Sequence, residues 1–178
     1  MAISVVSFTP CSDYSTYGNS VSVAWSSGDL IVVAGTSPYA ADDWNTPTAT
    51  GLTFTQRSIM DSGSGTQSKS AIWTAVAGSA DTQTISLSTT LPYIVGMGVW
   101  VISGAGTVTG ITGNDTEAAF ASVSVGDGDA VIVYLGDYNG AATAWNPTTG
   151  SGTATERAGQ TTSGGYGVFA ADWVGTIS

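Results

Sequence analysis

Apolar and polar residues alternate along much of this chain with the period of two that a half-buried β-strand requires. Val21, Val23 and Trp25 share one side of such a stretch, with Ser20 and Ser22 on the other. Residues 3–8, 52–57 and 84–88 alternate in the same way and read as further strands. Residues 30–34 and 130–135 differ: each is a continuous apolar run, too short for a helix and long enough for a central strand. Residues 70–76, 93–102, 153–157 and 166–174 complete the main set, and weaker strands are read at 108–111 and 121–125. Gly96 and Gly98 are expected to mark a bulge in the long strand 93–102. Residues 117–120 offer at most one helical turn. Ten to twelve short strands separated by Gly, Ser and Asp turns predict an all-β sandwich or barrel, with a jelly-roll-like two-sheet sandwich as the expected arrangement.

The pattern repeats. Gly28-Asp29-Leu30-Ile31-Val32-Val33 returns one hundred residues later as Gly128-Asp129-Ala130-Val131-Ile132-Val133. At that constant offset 14 of the 58 positions from 21 to 78 are identical, without a gap, among them Arg57 with Arg157 and Trp73 with Trp173. Two units are too few for a solenoid. They fit two similar halves, about 20–80 and 120–178, of a single domain spanning residues 1–178. The second half has no counterpart of residues 83–102, and the strand at 3–8 or a neighbouring subunit is expected in part of that place.

Composition narrows the partners. Charged residues make up 9% of the 178, against the usual ~25%, so the surface is polar but mostly neutral. That balance is common in β-rich proteins of extracellular settings and large assemblies. The net charge is −10, with Arg57, Lys69 and Arg157 the only basic residues. Three cations cannot form a basic patch, which argues against nucleic acid and anionic membrane as partners. Cys11 is the single cysteine, so no intrachain disulfide can form; it reads as a small residue near the start of a loop. Residues 1–6 lack the charged and apolar regions of a signal peptide, and no run approaches the length of a membrane span. Synthesis and assembly in a cytoplasm are expected.

Catalysis finds little support. There is no histidine, which removes Ser-His and Cys-His nucleophile pairs and His-based metal sites. Glu117 and Glu156 stand apart from a second acid, and the Gly-rich segments lack phosphate-loop spacing. Asp42-Asp43 and Asp127-x-Asp129 superficially suggest a calcium loop, but the closing Glu is absent. No enzyme, cofactor or metal is expected. Asp29 with Arg57, and Asp129 with Arg157, are expected as matching structural ion pairs across the sheet, with anion recognition by the arginines as the alternative. Trp25, Trp73, Trp100 and Trp173 read as core. Trp44-Asn45 and Trp145-Asn146 lie in long loops, one per half. There they could cover the open end of the sandwich, anchor a protein interface or stack on a sugar ring.

The succession Gly28-Asp29-Leu30-Ile31-Val32-Val33, then Gly51-Leu52-Thr53-Phe54-Thr55-Gln56-Arg57, then Ser70-Ala71-Ile72-Trp73-Thr74-Ala75 resembles the β-sandwich structural proteins of tailed bacteriophages. In those a GDLLVV strand precedes a GWTxxR-like strand and an xxxWxA strand. Here Leu52-Thr53-Phe54 stands where a Gly-Trp pair is more typical. The resemblance covers residues 20–105 directly. It implies a non-enzymatic virion component: a capsid decoration (cement) protein on the outer capsid, or a tail or fibre module. Its expected partners are the major capsid protein or other virion proteins and further copies of itself. The alternative from a different class is a receptor- or glycan-binding module of a tail fibre or adhesin.

Overall fold

The computed structural model describes residues 3–11, 18–37, 44–61, 69–90, 96–106, 108, 130–137, 153–161 and 167–174. Every regular element among them is a strand: β1 (Ser4–Cys11), β2 (Gly18–Trp25), β3 (Leu30–Ser37), β4 (Thr55–Asp61), β5 (Lys69–Val76), β6 (Asp81–Ser88), β7 (Gly96–Ser103), β8 (Ala130–Asp137), β9 (Thr153–Thr161) and β10 (Gly167–Val174). The fold is all-β and antiparallel. A five-stranded sheet runs β1-β7-β3-β5-β4, a two-stranded sheet pairs β2 with β6, and a three-stranded sheet runs β8-β10-β9. The weaker strands at 108–111 and 121–125 and the turn at 117–120 fall outside the described residues, Val108 apart.

The continuous apolar run explains the middle of the five-stranded sheet. All eight residues of β3 are buried, and alternation divides them between two cores. Ile31 and Val33 join Val23, Trp25, Ala71, Trp73, Ile85, Leu87, Val99 and Val101 on one face, where the β2-β6 sheet lies opposite. Leu30, Val32 and Ala34 join Trp100 and Ile102 on the other, under Phe8, Ile72 and Ile132. The alternating strand β2 needs only one buried side: Val23 and Trp25 are buried while Ser20, Ser22 and Ala24 are exposed. Each large side chain taken fully from water contributes about 1.5–3 kcal/mol. The first core, shared by two sheets, gives the fold its sandwich-like character.

One boundary and one irregularity differ from the expected ones. The strand expected at 52–57 begins at Thr55, because a turn occupies the residues before it: Leu52 N–H donates to the Ala49 carbonyl at 3.3 Å, and Gly51 has φ +79°. The bulge expected at Gly96 and Gly98 is absent. β7 pairs continuously with β3 from Gly96 to Ile102, and the irregularity lies on the neighbouring strand β1, between Val5 and Ser7. Glycine there relieves no ladder; it lies in the part of β7, Gly96 to Ile102, that is buried between two neighbouring strands.

The strands divide the chain into two unlike ends. At one end β2 passes to β3, and β5 to β6, through four residues each. At the other, the connections β1–β2, β3–β4, β4–β5 and β6–β7 all depart, since Cys11 pairs with Met97, Ser37 and Asp61 with Lys69, and Gly18 with Ser88.

β8 starts and stops one hundred residues after β3, and the order β8-β10-β9 parallels β3-β5-β4. In the pairing of β4 with β5 the register shifts between Gln56 and Ser58; in that of β9 with β10 it shifts between Glu156 and Ala158. The residue left over is an arginine in both, Arg57 and Arg157. Trp73 lies opposite Val33, whereas Trp173 lies opposite Val131. That slip of two residues leaves the faces unchanged, because the strand period is two.

Candidate functional site

The tight turn carrying the repeated hexapeptide is built by its two leading residues. Gly28 has φ +86°, in the left-handed region, and a Cβ there would meet nothing within 4 Å, so the requirement for glycine is torsional. Its N–H donates to the Ala77 carbonyl at 2.8 Å, and Ala77 N–H returns a bond to the Asp29 carbonyl at 2.9 Å. The buried Asp29 carboxylate accepts from the Ser26 N–H at 2.8 Å.

The expected pairing of Asp29 with Arg57 is therefore corrected. Arg57, exposed on β4, donates through Nε to Thr74 Oγ1 at 2.7 Å. The strand β5 explains why. Asp29 stands beside Ala77 on one side of it, and Arg57 bulges out on the other, two strand spacings of about 4.8 Å away. Asp29 serves as a turn cap and Arg57 as a bulge residue tied to its neighbour strand. Asp129 lies outside the described residues, and of Arg157 only the backbone position is described.

Trp44 and Asn45 sit at the end from which the long connections depart. Residues 44–48 form a strap along β6. Trp44 bridges to Thr89 and Thr48 to Ser86; Asn45 N–H donates to the Ser88 carbonyl at 3.0 Å, and Thr48 and Ser86 exchange two bonds of 2.9 Å. The strap lays the Trp44 ring over the bare backbone of Gly35, where an added Cβ would meet Trp44 at 2.9 Å and Leu87 Cδ2 at 2.5 Å. Trp44 also meets Trp73 edge to face, with centroids 5.7 Å apart. Neither indole N–H has a hydrogen-bond acceptor among the described residues. Trp44 is thus half-buried, with its ring packed against the first core. Exposed Asn45 is the polar member: its Nδ2 donates to Ser88 Oγ at 3.0 Å. Trp145 and Asn146 lie outside the described residues.

A second pair was not singled out from the sequence. Trp100 Nε1 on β7 donates to Asp172 Oδ2 on β10 at 3.1 Å, and both side chains are buried. This bond ties the three-stranded sheet to the second core. The signal lay in the strand itself: Asp172 is the one charge in the run from 167 to 174, and a carboxylate in a buried strand calls for a donor. Of the other residues expected in the core, Trp25 and Trp73 are buried. Cys11 ends β1 half-buried against the first core.

Among the described residues no group of three or more His, Cys, Asp or Glu side chains could hold a metal ion, and no helix is long and apolar enough to cross a membrane. No protein-family model, curated protein or solved structure matches this chain.

Proposed function

We propose that this chain is a non-enzymatic structural component of a tailed-bacteriophage particle, a capsid decoration protein that binds the outer capsid as an oligomer. The observation that carries the reading is the motif succession: the Gly-Asp turn, the buried strand β3, the Arg-bearing edge strand β4 and the Trp-bearing strand β5 follow one another as adjacent parts of one sheet system. The charge-poor but net-acidic composition supports it, since such a surface repels packaged DNA and suits a crowded shell. A jelly-roll-like sandwich built from two similar halves belongs to the same reading. Its support is the parallel strand order and the arginine at the register shift in both halves.

The test is co-sedimentation of the purified chain with capsids stripped of accessory proteins. Saturable binding to the shells supports decoration. A chain that ignores the shells and instead binds sugars on a glycan array favours the receptor-binding alternative. In that case Asn45 and the outward side of the strap are the places to substitute, because the Trp44 ring faces the core.

A further inference from the structure

The first core holds two buried donors that the protein does not satisfy. Trp73 has no exposed surface, and the Nε1 atoms of both Trp73 and Trp44 are buried without an acceptor among the described residues. An indole N–H can only donate, and a buried donor left unpaired is costly enough that native structures rarely keep one. The two rings meet edge to face with centroids 5.7 Å apart. Both donors therefore belong to one corner of the core, beside the strap at 44–48.

The surroundings explain why the chain offers these donors nothing. The side chains clustered with the two rings, among them Val33, Ala71, Leu87 and Met97, are apolar. The nearby backbone is committed to ladders: β3 and β5 each pair on both sides, and β6 pairs with β2 and with the strap. Charge and space then limit what can accept. Both donors are neutral, so a buried anion would find no countercharge in them. The Trp44 ring packs directly on Gly35 beside Leu87, so the corner is closely packed and the acceptor is small. A water molecule is neutral and small, and two to four polar partners hold one inside a protein.

We propose that Trp44 and Trp73 form a binding site for one ordered water, which accepts from both indole N–H groups inside the first core. Its two lone pairs take the two donors. The bridge ties the strap to β5 of the five-stranded sheet, in addition to the bonds that hold the strap to β6. The Trp44 ring thus acts through both ends: its six-membered ring rests on Gly35, and its N–H reaches Trp73 through the water. This inference concerns the interior of the domain and does not depend on the virion reading.

The test is nuclear magnetic resonance of the full chain labelled with nitrogen-15, reading water-to-protein Overhauser contacts at the indole Hε1 protons. The expected result is a contact at both Trp44 and Trp73, with the sign of long-lived bound water. Trp100 serves as the internal reference, because its N–H is buried on Asp172 Oδ2 at 3.1 Å and should show no such contact. Trp44→Phe keeps a ring over Gly35 and removes one donor, so the water contact at Trp73 Hε1 should be lost with it. A Trp73 contact that survives Trp44→Phe overturns the shared site. Absence of bound-water contacts at either indole of the unsubstituted protein also overturns the proposal. An Hε1 shifted upfield without a water contact would identify the neighbouring ring face as the acceptor instead. The measurement on the unsubstituted protein decides against the site even where Trp44→Phe does not fold.

Discussion

Trp73 and Trp100 occupy opposite faces of the same five-stranded sheet, both with no exposed surface, yet the two faces are closed in different ways. On the Trp73 face the cover is local and apolar. The β2-β6 sheet and the strap at 44–48 lie over it, and among the described residues the Trp73 N–H faces no acceptor. On the Trp100 face the cover comes from far along the chain. Phe8 packs on the ring at 4.6 Å between centroids, and the indole N–H is held by the buried carboxylate of Asp172. Apolar packing is strong but indifferent to small displacements. A buried hydrogen bond adds little net stability when made and costs much when broken. The first face therefore holds by area, and the second also fixes where the three-stranded sheet sits.

The comparison breaks most severely at the ring itself. Trp73→Ala removes the centre of the larger core and is expected to destabilise the fold by about 3–5 kcal/mol, the range for buried aromatic truncation. Denaturant unfolding followed by Trp fluorescence measures it. A loss below about 1 kcal/mol would mean that the ring is not enclosed by two sheets.

Replacing each indole by phenyl sharpens the contrast. Trp73→Phe and Trp100→Phe lose comparable ring volume, so their cavity costs nearly cancel in the difference. Only the second leaves a buried carboxylate oxygen without its indole donor. Trp100→Phe should therefore cost about 1–3 kcal/mol more than Trp73→Phe. Equal losses in paired denaturation curves would show that the Asp172 bond contributes nothing. Asp172→Asn is the complementary variant, keeping an acceptor of similar shape.

The strap gives a third, smaller test. Gly35→Ala places a methyl group against Leu87 and the Trp44 ring, and overpacking of that kind costs about 1–3 kcal/mol. Combined with Trp44→Ala, the loss should be less than additive, because the first variant's clash is partly removed by the second. Additive losses would show that the Trp44 ring does not rest on Gly35.

What could be read from the sequence follows the same division. Strand positions were legible because alternation and continuous apolar runs report burial on one face or two, as in β2 and β3. The Gly28-Asp29 turn was legible as a turn, but not its wiring. An Asp three residues after a Ser suggests a cap as readily as an ion pair, and only the position of β5 between Asp29 and Arg57 separates the two. The segment Trp44-Asn45-Thr46-Pro47-Thr48 was legible as a loop but not as a strap along β6, because it has no strand pattern and is held by two bridges and a packed ring. The Trp100–Asp172 bond joins residues 72 apart in the chain, a contact that local pattern cannot encode. β3 and β8 have the same local signature and, among the described residues, different numbers of neighbours, so periodicity reports how apolar a strand is and leaves open what lies beside it.

The smallest expected effect lies on the outer surface of the layer that covers Trp73. Asp81 opens β6, opposite Trp25, and its carboxylate accepts from Gln83 Nε2 at 2.9 Å and from the Thr82 N–H at 2.7 Å. These bonds, the side-chain one foremost, hold its pKa below the ordinary 3.8. A folded-state pKa below the unfolded value adds stability that is present above the unfolded pKa and fades as pH falls through the folded one. The contribution should thus be constant at neutral pH and disappear only below about pH 4. Because the group is fully exposed, solvent screens it and the effect is slight. Asp81→Asn should leave stability at pH 7 almost unchanged and flatten a small part of the acid limb, in thermal melts recorded from pH 6 to pH 3. A large loss at neutral pH would instead give the outer surface of the β2-β6 layer an energetic weight comparable to that of the Asp172 tie.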